Sequence, residues 1–266
     1  MHSNDIKPLL DIMAKLRDPH TGCPWDKAQS FETIVPFTLE EAYEVADTIE
    51  RMAMDELPDE LGDLLFQIVF YCQLGREAGL FDFGDVVDKI CNKLTSRHPH
   101  VFGSLIDASA EQVKDNWEQI KAKERSDKDL HSVLDNIPVG LPALSRSVKI
   151  QKRVARVGFD WAELGPVVDK IHEEIGEVIY EVKQDEISQD RVQDEMGDLL
   201  FAVVNLARHL GVEPEQALRQ ANRKFERRFR GVESLANQTG KSMEDHTLDE
   251  LDQYWDEVKS QEVKTF

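Results

Sequence analysis

Apolar positions along this chain recur mostly at helical spacing. Ile6, Leu9, Leu10, Met13 and Leu16 mark a first helix over residues 5–17. Pro19 and Gly22 break it, and Cys23-Pro24-Trp25-Asp26 reads as a turn with a docked tryptophan. A second helix is expected from Thr38 to about Met52, with Thr38 and Glu41 at capping-box spacing. After Pro58 the pattern changes. Leu61, Leu64, Leu65, Phe66, Ile68, Val69 and Phe70 leave little room for a solvent face, which predicts a helix buried almost all round. Its polar exceptions, Glu60, Asp63 and Gln67, fall on one stripe at i, i+3 and i+7. Acids carried inward along a line are costly unless something compensates them. Further helices are expected over residues 85–97 and 110–125, with a loop at Gly79–Gly84 between the long apolar helix and the first of them. The stretch from Ser126 to Pro142 is polar, then carries two prolines and a glycine, and reads as a linker.

Past the linker the pattern repeats. Gly22-Cys-Pro-Trp25 is echoed by Gly158-Phe-Asp-Trp161, and Glu40, Glu41 and Glu44 by Glu173, Glu174 and Glu177. Glu60-Leu-Gly-Asp63-Leu-Leu-Phe66 returns as Glu195-Met-Gly-Asp198-Leu-Leu-Phe201. Lys93 and Arg97 match Lys224 and Arg228, and Trp117 to Lys121 matches Trp255 to Lys259. The order never changes and the offset stays between 131 and 138 residues, so one helical unit is present twice. The expected fold is all-α, with domains at residues 1–130 and 131–266. A helical unit this small, with acids in its interior, buries limited apolar surface, which favours a homodimer.

Composition narrows the function. The 266 residues carry 52 acidic and 32 basic side chains, a net charge of −20, which argues against nucleic acid as a partner. The 41% apolar content still permits a core. Three widely spaced cysteines, Cys23, Cys72 and Cys91, form no metal or disulfide pattern and suit a reducing compartment. The longest apolar run, Leu199 to Val204, is far too short to span a bilayer. A cytoplasmic protein without a membrane partner is the expectation.

The acids then take on meaning. Glu174 and Glu177 share one helix face, and Glu195 and Asp198 share another. Side by side, two such helices bring four carboxylates together, which cannot all stay ionised unaided. Hard oxygen donors select magnesium, or manganese, and magnesium shares its shell with substrate phosphates. Glu41, Glu44, Glu60 and Asp63 form the second set. A solvated acidic face would explain one such motif, but poorly two, each opening an apolar helix. A di-iron bundle would need Glu-x-x-His, which neither copy has at these sites.

A basic patch complements the acids. Lys224, Arg227 and Arg228 lie at i, i+3 and i+4 and suit phosphate oxygens, while Phe225 and Phe229 share another face and pack. The first copy has Ser96 and His98 beside Lys93 and Arg97, a weaker grip. Trp255 could stack a nucleobase or simply pack.

The pairing of E-E-x-x-E with E-x-x-D-L-L-F resembles the MazG nucleoside triphosphate pyrophosphohydrolases, whose relatives include the all-α dUTPases and the phosphoribosyl-ATP pyrophosphohydrolases. Gly22 to Asp26, the linker, and Lys224-Phe-Glu-Arg-Arg-Phe229 resemble the two-domain members, so the likeness spans essentially the whole chain. It implies a tandem of four-helix-type units that hydrolyse NTPs to the monophosphate and pyrophosphate with Mg2+. It further implies Glu174, Glu177, Glu195 and Asp198 as metal ligands, with Glu173 assisting. Lys224, Arg227 and Arg228 would hold the phosphates, Lys170 and Arg191 would add to that grip, and Trp255 would contact the nucleotide. The second copy, with the fuller basic patch, is the expected main catalytic site. A non-catalytic nucleotide sensor, or an acidic helical scaffold, is the competing reading.

Light scattering at micromolar concentration should give about twice the mass of one chain; a monomeric mass would contradict the expected dimer.

Overall fold

The computed structural model describes residues 5–103 and 132–263, and all regular structure among them is helical. The chain divides into two compact units, Met1–Arg125 and Ser126–Phe266. The expected helix at 110–125, the echo at Trp117–Lys121 and the expected boundary at residue 130 lie outside the described residues.

The first unit contains α1 (Lys7–Leu16), α2 (Pro24–Ala28), α3 (Phe31–Glu50), α4 (Leu57–Glu77), α5 (Phe83–Arg97) and α6 (Pro99–Phe102). Its core gathers Met13 from α1, Ile34 from α3, and Val69, Phe70 and Leu74 from α4, with Phe37 and Phe66 packed against them. Arg17 ties three elements together. Its guanidinium lies 5.3 Å from the Phe70 ring centroid. It donates to the carbonyls of Asp26 and Gln29 and pairs with Glu77 at 2.7 Å.

Three expectations need correction. First, α3 starts seven residues before Thr38, at Phe31. Ser30 caps it by accepting from the Thr33 amide, and Thr33 returns the bond in a capping box. Pro36 sits inside the helix, where it forfeits one backbone bond. Burial of Ile34 and packing of Phe37 hold the first turns in place regardless. Thr38 is therefore no cap; its hydroxyl donates to the Ile34 carbonyl at 3.1 Å. Second, the turn at Cys23–Asp26 is the short helix α2, and Trp25 stays half exposed with its ring edge-on to Phe37 at 5.6 Å. Third, α4 is not covered all round within one chain: Leu61 is 48% and Ile68 40% exposed. Along α3, Val35, Leu39 and Tyr43 form a matching exposed row.

The second unit contains α7 (Ala143–Ala155), α8 (Leu164–Val182), α9 (Gln189–His209), α10 (Pro214–Gln238), a 3-10 turn (Met243–Asp245) and α11 (Leu248–Val263). Helices α8 and α9 lie along each other, as α3 and α4 do in the first unit; α7 packs on α9, and α11 on α10. The α8–α9 pair also shows apolar rows to solvent, Ile175, Ile179 and Val182 on one helix and Met196, Leu200 and Val203 on the other.

Gly75 of α4 is buried where the chain turns back after the helix. A Cβ there would meet the Phe81 carbonyl at 2.7 Å and the Phe81 ring at 2.8 Å. Gly75→Ala should lower the unfolding free energy by about 1–3 kcal/mol, as overpacking does; urea denaturation measures this, and an unchanged midpoint would contradict the close approach.

Candidate metal centre

The second unit carries its acids on the two helices that pack most closely. Glu174 lies midway along α8 and is only 3% exposed. Glu195 and Asp198 lie in the second and third turns of α9. Carboxylate oxygens of Glu174, Glu195 and Asp198 come within 4.8 Å of one another. Glu174 Oε1 accepts from Lys170 Nζ at 2.6 Å, whereas its buried Oε2 has no hydrogen-bond partner. Glu177, one turn further on, has its carboxyl beside that of Glu174. That contact, desolvation, and the charges of Glu174 and Glu195 raise the Glu177 pKa. Desolvation, then Asp194, Asp198 and Glu174, raise Glu195. Bonds to Glu173 and Glu174 raise Lys170, so it stays a cation beside the cluster.

The first unit repeats the arrangement with Glu41, Glu60 and Asp63, again within 4.8 Å. Burial, then a bond shared with Glu44 and the charge of Asp63, raises Glu41. The position one turn before Glu41 is Phe37, where the second unit has Lys170 before Glu174. Gln67 Nε2 stands 3.5 Å from Glu41 instead.

Both sets fit a hard divalent cation. Every donor is a carboxylate oxygen, the negative charge exceeds what nearby cations balance, and Glu174 Oε2 lacks the partner a buried oxygen requires.

Other candidates fall elsewhere. Glu173 is exposed and bonds to Lys170 at 2.8 Å. Arg191 stands 3.5 Å from buried Glu181. Lys224, Arg227 and Arg228 lie on α10, where both arginines clamp Glu262 of α11 at 2.8 and 2.9 Å and lower its pKa. Phe225 stacks on Phe229 at 5.9 Å and meets Trp255 at 5.2 Å, with Arg228 over the same indole. Trp255 thus packs on the helix that carries the basic patch.

The space beside the acids is built from other residues. A cavity of about 610 Å3 is lined by Lys170, Glu174 and Asp198, with Phe159, Trp161 and Phe201 as apolar wall and Gln151, Asn205 and Arg208 as polar lining. Sequence reasoning missed these last three. Along α9, Asp198, Ala202, Asn205 and Arg208 form one row, running about 15 Å from the acidic cluster. Arg208 anchors the Gly158–Trp161 loop by a two-pronged bond to Asp160, at 2.5 and 2.9 Å, and also donates to Asn205. The row on α9 was the signal that could have found Asn205 and Arg208, once Asp198 was placed; Gln151 lies on α7, outside that row.

Fold and site define an all-α protein with a carboxylate cluster on paired helices in each of two units. The chain belongs to the MazG nucleotide pyrophosphohydrolase family, whose domain profile matches residues 29–102 and 166–232. It is 56% identical to a nucleoside triphosphate pyrophosphohydrolase of Escherichia coli K12 over 260 residues, 98% of this chain and 99% of the relative. It is 42% identical to the nucleoside triphosphate pyrophosphohydrolase/pyrophosphatase MazG of Thermotoga maritima, over 96% of this chain and 95% of that one. A nucleoside triphosphate pyrophosphohydrolase of Mycolicibacterium smegmatis is 35% identical over 160 residues, 59% of this chain and 49% of its own length.

Arg208, and then His209, hold the Asp160 carboxyl below the usual carboxylate range against the opposing effect of burial. A depressed folded pKa stabilises above the unfolded value, about 3.9, and that contribution fades as pH falls through the folded value. Asp160→Asn should therefore cost about 1 kcal/mol at pH 7 and progressively less below about pH 4 in urea denaturation. A difference as large at pH 3 as at pH 7 would contradict the charge as its source.

Proposed function

We propose that this protein hydrolyses nucleoside triphosphates to the nucleoside monophosphate and pyrophosphate, chiefly at the α8–α9 site, with Mg2+ held by Glu174, Glu177, Glu195 and Asp198. Manganese fits the same donors. The observation that carries the reading is the buried, unpartnered Oε2 of Glu174 inside the acidic cluster. The ion, when bound, supplies a positive centre for phosphate oxygens and lowers the pKa of a bound water.

The protein's own groups do the rest. Lys170 fixes Glu174 and Glu173, so Glu173 assists through that lysine. Arg191, Lys224, Arg227 and Arg228 are the cations for the phosphates, and the two arginines would exchange Glu262 for the substrate. Trp255 lies against this patch, where a nucleotide would touch it. Positioning and electrostatics of this kind provide most of a phosphoryl enzyme's effect. The Glu41, Glu44, Glu60 and Asp63 set in the first of the two proposed domains, residues 1–130, is secondary, because Phe37 stands where Lys170 would be.

A homodimer is part of this reading. The exposed apolar rows on α3–α4 and on α8–α9 support it, since contiguous apolar faces mark association surfaces. A cytoplasmic place of action agrees with three free thiols, and the charge of −20 disfavours nucleic acid. No helix among the described residues is long and apolar enough to cross a membrane.

Glu174→Gln or Glu177→Gln should reduce pyrophosphate release at least about a hundredfold. Glu41→Gln combined with Glu44→Gln should leave most turnover. Chromatography of a mixed NTP and dNTP reaction with magnesium reads both. Near-wild-type turnover of the first variants would contradict the site, NDP with free phosphate would contradict the reaction, and binding without products would favour a sensor.

A further inference from the structure

The cavity beside the acids holds a polar group that the proposed reaction does not use. Gln151 of α7 is 4% exposed and lines that cavity. Its Nε2 donates to the Phe201 carbonyl at 2.9 Å, which fixes the amide end that is oxygen. That oxygen, Oε1, is buried and has no hydrogen-bond partner. An acceptor left so is disfavoured unless something fills it.

Position suggests what does. Phe201 follows Asp198 by one helical turn, so the Gln151 amide sits beside α9 roughly one turn, about 5 Å, from the acidic cluster. A triphosphate engaged at the acids has its nucleoside as the next part to enter the cavity. Phe159 and Trp161 offer apolar wall to it. The other polar lining groups have tasks already. Lys170 is bonded to Glu173 and Glu174, Arg208 to Asp160, and Asn205 Oδ1 accepts from Arg208. In the first unit, α1 packs on α4 as α7 does on α9, but it buries Met13 there, which offers no amide acceptor.

We propose that Gln151 is a specificity-determining residue whose Oε1 accepts a hydrogen bond from a donor of the substrate nucleoside, a base N–H or a sugar O–H. The proposal rests on the hydrolysis reading above, with the α8–α9 site as the working one. A site built to bond a donor rejects an analogue lacking it, because the acceptor is then left unpaired.

The test is kcat/KM of the full-length protein and of Gln151→Met with magnesium. The substrates are ATP, purine riboside triphosphate (no 6-amino group), 2′-dATP and 3′-dATP. The wild type should prefer ATP at least about tenfold over one of the three analogues, and the missing group identifies the donor as the base amine or a sugar hydroxyl. Gln151→Met should erase that ratio and leave the other two unchanged. Equal kcat/KM of the wild type for all four would overturn the proposal, and needs no folded variant. A folded variant, checked by its melting curve, that keeps the wild-type ratios or lowers all four rates alike would overturn it too, the latter showing a structural role only. Failure of the hydrolysis reading looks different: the wild type would then release no pyrophosphate from any of them.

Discussion

The confrontation of carboxylates between paired helices is the constraint on which the rest of this structure depends. Glu174 is nearly sealed from solvent and comes within 4.8 Å of Glu195 and Asp198, with Lys170 paired to it. Contact with Glu174 raises the pKa of Glu177, desolvation raises that of Glu195, and the neighbouring carboxylate charges add to both. A protein can relieve that by protonation, by more cations, or by a metal. Here one lysine serves at least two glutamates, and one buried oxygen has no partner. Metal relief fits that imbalance best, and it also brings phosphate chemistry to the site.

The surrounding helices make the confrontation tolerable. Helix α9 carries two of the acids near its start and Arg208 in its last turn, so one rigid element links the cluster to the Gly158–Trp161 loop. Helix α7 closes the cavity wall through Gln151 and its bond to the Phe201 carbonyl. In the first unit, Arg17 does comparable work through Asp26, Gln29 and Glu77. The copies share a plan but differ in fittings: Phe37 stands in the first where the second has Lys170.

Much of this was legible in the residues themselves. Helical spacing fixes which acids share a face, so E-E-x-x-E and E-x-x-D were readable without coordinates, and their recurrence exposed the duplication. What was not legible depended on tertiary context. The helix was expected to begin at Thr38, yet Ile34 and Phe37 pack well enough to carry α3 through Pro36. The apolar surplus of α4 read as burial, but part of it faces outward in a single chain. The pairing of Arg227 and Arg228 with Glu262 joins residues far apart in the chain. Asn205 and Arg208 share a row with Asp198 on α9, but only the packing of α7 on α9 brings Gln151 beside them.

The most direct test of a metal-filled carboxylate cluster is a manganese titration followed by electron paramagnetic resonance, which counts bound ions without requiring turnover. The wild-type protein should bind Mn2+, magnesium should compete for the same sites, and Glu195→Gln with Asp198→Asn should remove the binding assigned to the second unit while leaving the protein folded. A wild type that binds no Mn2+ at millimolar concentration, or a double variant that binds it as the wild type does, would contradict the metal as the source of relief.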